Sequence, residues 1–113
     1  MPIAHRVGLR VRQQYAAIAA AGAGDNTIVA AVTGRRICVV AGFWNVAAAV
    51  TVRFESGAGG TALTGQMEHA ANGGFVLPFN EAGWFETVAG QLLNMELSGA
   101  VSVAGALTYV EVA

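Results

Sequence analysis

The sequence predicts an all-β chain, a single-domain β-sandwich, jelly-roll-like, or a closed barrel, with an N-terminal arm. Three observations lead there. Apolar and polar residues alternate with a period of two in several separate segments, the pattern of strands half-buried in a sheet. Glycine-centred turn signals recur at short intervals, at Gly34, residues 56–60, 72–74, 80–83, 89–90 and 98–99, as sandwiches and barrels require. Finally, 113 residues supply one core, not two.

The elements follow in chain order. Val7, Leu9 and Val11 alternate with Arg6, Gly8, Arg10 and Arg12, a strand pattern. Residues 13–23 are alanine-rich, and alanine favours helix. Tyr15 and Ile18 fit a helical turn or a strand equally, and the reading leans to strand or irregular structure. Residues 1–24 are therefore taken as an N-terminal arm or first strand, and residues 25–113 as the β-sandwich domain. Residues 37–44 are apolar at nearly every position. That suits a central strand, or one whose second face meets a partner. Val50, Val52 and Phe54 alternate with Thr51, Arg53 and Glu55, and Leu93, Met95 and Leu97 alternate with Asn94, Glu96 and Ser98. The last run, residues 101–112, changes phase around Gly105, where a bulge or bend is expected.

Composition narrows the function. Hydrophobic residues make up 55% and charged residues 12%, with no lysine. So apolar a chain is not intrinsically disordered. Six arginines against seven acids leave no basic surplus for nucleic acid. A membrane-spanning helix needs roughly 20 consecutive apolar residues, and the longest runs here end at Asn45 and Arg53. No membrane partner is expected. The start shows no apolar stretch behind a basic one, so synthesis in a cytoplasm without a signal peptide is expected. A small domain also leaves much of its area outside, and this one has few charges to cover it. Burial against other copies of the chain is the expected answer.

The search for chemistry returns no site. The acids Asp25, Glu55, Glu68, Glu81, Glu86, Glu96 and Glu111 sit mostly at turns or on polar strand faces, where a solvated charge is the ordinary reading. Glu68 and His69 are neighbours, and in a strand they point to opposite faces. The two histidines, His5 and His69, lie far apart and there is one cysteine, which is not a zinc ligand set. Cys38, inside an apolar strand, is expected to be a small buried hydrophobe. Residues 22–24 and 57–60 fail the dinucleotide and P-loop patterns. No catalytic residue, cofactor or metal is expected, and the chain is read as no enzyme.

What remains are surface candidates. Phe43 precedes Trp44, and Trp84 precedes Phe85. One aromatic of each pair faces outward if the segment is a strand. Trp44, Trp84 and Phe85, with Arg10, Arg12 and the pair Arg35 and Arg36, which could meet a carboxylate on a partner, form the candidate interface set.

Two stretches carry a resemblance. They are residues 55–65 (Glu-Ser-Gly-Ala-Gly-Gly-Thr-Ala-Leu-Thr-Gly) and residues 70–87, with Asn-Gly-Gly-Phe-Val-Leu-Pro-Phe-Asn followed by Gly-Trp-Phe-Glu-Thr. With residues 92–98 and the Leu-Thr-Tyr-Val-Glu-Val ending, the chain resembles small all-β virion proteins of tailed bacteriophages, over residues 25–112. The resemblance implies a capsid decoration (cement) protein, a homotrimer on the outer shell of the head that clamps the major capsid protein. It implies a virion location and an N-terminal arm over the shell or a neighbour. The alternative is a carbohydrate- or receptor-binding β-sandwich module of a phage fibre or tail, with Trp44 or Trp84 as a stacking platform.

Overall fold

A computed structural model describes residues 12–113. They form ten strands and no helix: β1 (Gln13–Ala20), β2 (Gly24–Val29), β3 (Arg36–Val46), β4 (Val50–Ser56), β5 (Thr61–Ala62), β6 (Met67–His69), β7 (Gly74–Leu77), β8 (Phe85–Glu86), β9 (Leu93–Leu97) and β10 (Val103–Val112). The pattern at Val7, Leu9 and Val11 lies outside the described residues, as do residues 1–11 of the expected arm.

The strands form two antiparallel sheets. One runs β1-β10-β3-β7, with β8 also on β3; the other runs β2-β9-β4-β5, with β6 also on β4. β7 and β8 pair with successive stretches of β3 and act as one interrupted edge. β5 and β6 do the same along β4. The first and last strands then lie side by side in one sheet, and the second and second-to-last in the other. That is the nested connectivity of a jelly roll, and it decides for a sandwich over a closed barrel.

The core lies between the sheets. Val50, Val52 and Phe54 of β4 and Leu93, Met95 and Leu97 of β9 meet Ile18, Trp44, Val46 and Leu107 of the first sheet. Each side chain of this kind contributes about 1.5–3 kcal/mol when fully buried. The period-two reading of β4 and β9 thus matches their buried faces.

The alanine-rich segment, read as strand or irregular structure, is strand: β1 pairs along its whole length with β10 and buries Ile18 and Ala20. The ladder and the core contact outweigh alanine's weak helix preference. β1 lies within residues 1–24, and position 24 opens β2. The bulge expected at Gly105 lies elsewhere. The β10–β3 register slips between Thr108 and Tyr109, which face Ala41 and Val39 and leave Val40 as the extra residue. Residues 37–40 are consequently buried on both faces. Ile37 and Val39 join the main core, while Cys38 and Val40 pack with Val110 on the other side. Gly105 serves close approach instead. It pairs with Trp44, and a Cβ there would run into the backbone of Phe43 and Trp44.

Candidate functional site

Three exposed aromatics, Phe75, Phe79 and Trp84, gather along one edge of the sandwich. β7 and β8 are the edge of the first sheet, and β5 and β6 the edge of the second. Between these edges opens a groove of about 370 Å³, lined by Trp44, Leu63, Met67, Phe75, Leu77, Trp84 and Phe85 among others. Pro78 follows β7 directly, where its missing N–H costs no ladder bond. The turn after it is held by Asn80, whose side chain accepts from the Ala82 N–H at 3.0 Å. Backbone bonds from Asn80 to Val40 and from Trp84 to Val39 then return the chain to β3. Gly83 has φ of +87°, and a Cβ on it would strike the Cys38 Sγ. A short glycine turn therefore sets Trp84 at the groove.

The predicted interface residues separate on this scaffold. Trp84 is 44% exposed, and its Nε1 donates to the Pro78 carbonyl at 2.8 Å. Phe85 is half-buried, its ring 5.0 Å from that of Phe54. Trp44 is a core residue, 3% exposed, and not a surface platform. Its ring meets Phe54 edge-on at 5.3 Å and stacks on Phe75 at 5.6 Å. Of the first aromatic pair the outward member is Phe43, 56% exposed. The inward strand phase already claims Trp44 and Val46, so Phe43 is left outside.

Arg12 and Arg35 are exposed, and Arg36 pairs with Glu86 at 3.8 Å. The pairing of Gln13 with Val110 and of Arg36 with Val112 puts all three arginines at one end of the first sheet, away from the groove's core. Arg10 lies outside the described residues. The sequence reading missed Leu63, Met67, Phe75, Val76 and Leu77. The signal for Phe75, Val76 and Leu77 was an apolar run interrupted by Pro78, which marks an edge strand; Leu63 and Met67 had none.

Glu68 and His69 do part as expected: Glu68 is exposed and His69 buried. His69 Nε2 accepts from the Trp44 indole N–H at 3.1 Å, and its Nδ1 sits 3.0 Å from the Met67 carbonyl. The ring therefore carries its proton on Nδ1 and acts as a clasp on the groove floor. Replacing His69 with phenylalanine strands the indole N–H. The expected loss is about 1–3 kcal/mol of unfolding free energy, read by urea titration. An unchanged midpoint would mean that water already serves that donor.

The outward face of the second sheet holds a polar network. Carboxylate oxygens of Asp25, Glu55 and Glu96 come within 4.8 Å of one another. Glu55 was expected to be solvated; it is 1% exposed. The Arg53 guanidinium donates to Glu55 and, at 3.0 Å, to Glu96. Asn94 Nδ2 donates to Asp25 at 2.9 Å and to Glu55 at 2.8 Å, and the Gly59 N–H reaches Asp25 at 3.1 Å. The glycine turn after β4 folds over the cluster, which is why a strand-face carboxylate ends up covered. The Glu55 hydrogen bond, more than the charge of Glu96, raises the Arg53 pKa above its ordinary value. Every carboxylate in the cluster thus has a protein donor, and the network reads as a structural lock. Elsewhere, burial and then Glu111 raise the Tyr109 pKa, and its hydroxyl donates to Gln14 at 3.3 Å.

The groove's chemistry is almost purely apolar. Thr64 is its one polar lining side chain, and its hydroxyl is committed: it accepts from the Phe54 N–H at 3.1 Å and donates to the Gly65 carbonyl at 2.9 Å. A sugar-binding site needs polar groups aimed at hydroxyls, and the indole N–H of Trp84 is also engaged. The arrangement suits an apolar contact with another macromolecule. Comparison with known proteins finds no family model, no curated protein and no solved structure that matches this chain.

Proposed function

We propose that this chain is a non-enzymatic structural protein of a tailed-phage virion, a capsid decoration protein that binds the outer shell as a trimer. The observation that carries the reading is the unpartnered apolar edge, where Phe75, Val76, Phe79 and Trp84 stay exposed on a rigid sandwich. Exposed apolar patches on small soluble domains mark interaction sites. The motifs of residues 70–87, which carry the resemblance, are the ones that build this edge. A shell-binding protein needs a stiff scaffold and contact area, and repetition over many copies turns weak single contacts into firm attachment. The glycan-binding alternative is weaker, because the groove's polar groups are already engaged.

Co-sedimentation with undecorated tailed-phage capsids tests the role. Saturable binding of the intact chain, lost in Trp84→Glu with the fold retained by circular dichroism, is the expected result. A well-folded protein that stays in the supernatant at every concentration would overturn it. A shift of Trp84 fluorescence with a sugar would then favour the glycan reading.

A further inference from the structure

We propose that the outward face of the first sheet is the surface on which copies of this chain pack against one another. The strand register assembles that face. Its middle row reads Ala17, Ala106, Phe43 and Val76 across β1, β10, β3 and β7. The row on one side is Ala19, Ala104 and Asn45; the row on the other is Tyr15, Thr108 and Ala41. None of these side chains is charged. Tyr15 is 77% exposed and Val76 69% exposed, with Phe43 standing between them.

The opposite face of the sandwich shows that this neutrality is local. There Asp25, Arg53, Glu55 and Glu96 sit on neighbouring strands. The neutral face continues into neutral loops at one end of the molecule, residues 21–23 and 47–49, where every residue is alanine or glycine. The ion pair of Arg36 and Glu86 lies at the other end.

A second copy is the occupant this chemistry selects. A charged partner would lose hydration against a face with nothing to pair its charges. A copy of the same chain brings an equally charge-free surface, so no like charges oppose. The alanine floor allows close approach of the two backbones, and Tyr15 and Phe43 are the side chains that interdigitate. Four strands at ~4.8 Å spacing and three rows spanning ~14 Å make a face of roughly 270 Å². That is about a third of one partner's share of a standard interface, and the neutral loops beside it extend the contact. The inference deepens the oligomeric half of the reading above and rests on that half alone, not on the virion role.

Light scattering on the purified chain and two variants tests it. The wild-type chain is expected at a multiple of 11.5 kDa. Phe43→Arg is expected at the single-chain mass with an unchanged far-ultraviolet spectrum. Thr27→Arg, on the opposite face, is expected to keep the wild-type mass. Should Phe43→Arg fail to fold, Ala17→Arg on the exposed side of β1 gives the same reading. A multimer that survives these face variants would overturn the assigned surface and leave the oligomeric reading standing. A wild-type monomer would overturn both, while capsid binding would still decide the virion role separately.

Discussion

Truncating Phe54 to alanine is expected to cost about 4 kcal/mol, the largest single loss in the core. Phe54 is fully buried at the crossing of two aromatic contacts and one backbone hydrogen bond. Trp44 meets it edge-on, Phe85 lies tilted against it, and its own backbone N–H is held by Thr64. The cavity cannot collapse easily, because Trp44 is pinned by His69 and Phe85 is pinned by the β8–β3 pairing. Against a total of about 5–15 kcal/mol for an ordinary domain, this is a large share. The thermal midpoint should fall by roughly 16 °C at matched protein concentration. Phe54→Leu, which keeps most of the volume, should lose less than half as much. A fall of under about 4 °C for the alanine variant would mean that the two sheets close over the gap.

Asn94→Leu should come next, at about 3 kcal/mol. Asn94 is fully buried and serves three partners. Its Nδ2 bridges Asp25 and Glu55, and its Oδ1 accepts from the Asn26 N–H at 2.8 Å. Leucine keeps the volume and removes every bond. A backbone donor and a buried carboxylate oxygen are left short, at about 1–3 kcal/mol apiece. Glu55 keeps its Arg53 contacts, which limits the loss. Urea unfolding of the variant measures it. A loss below about 0.5 kcal/mol would show that water replaces Asn94 beneath the glycine turn. Restored stability in the double variant with Glu55→Gln would confirm that the stranded carboxylate was the cause.

Much of the fold was legible from residue order alone, and the candidate surface much less so. The strands at residues 50–55 and 93–97 declared themselves because one face of each meets the core and the other does not. Turn positions declared themselves through glycine and asparagine. The aromatic pairs at 43–44 and 84–85 were visible as pairs, but which member faces out was not. That depends on strand phase relative to the opposing sheet, and the bulge at Val40 resets the phase in the middle of β3. Cys38 was expected to be buried and is.

By itself the sequence determined an all-β sandwich or barrel with an unusually uncharged surface, because alternation, turn residues and charge content are local or additive properties. Only the tertiary structure decided what that surface is made of. Pairing β1 and β7 into one sheet aligned residues some sixty positions apart into a neutral face. Pairing β2, β9 and β4 gathered three carboxylates that are separate in the chain and buried one of them. Register between distant strands sets both, and no short window of sequence carries register.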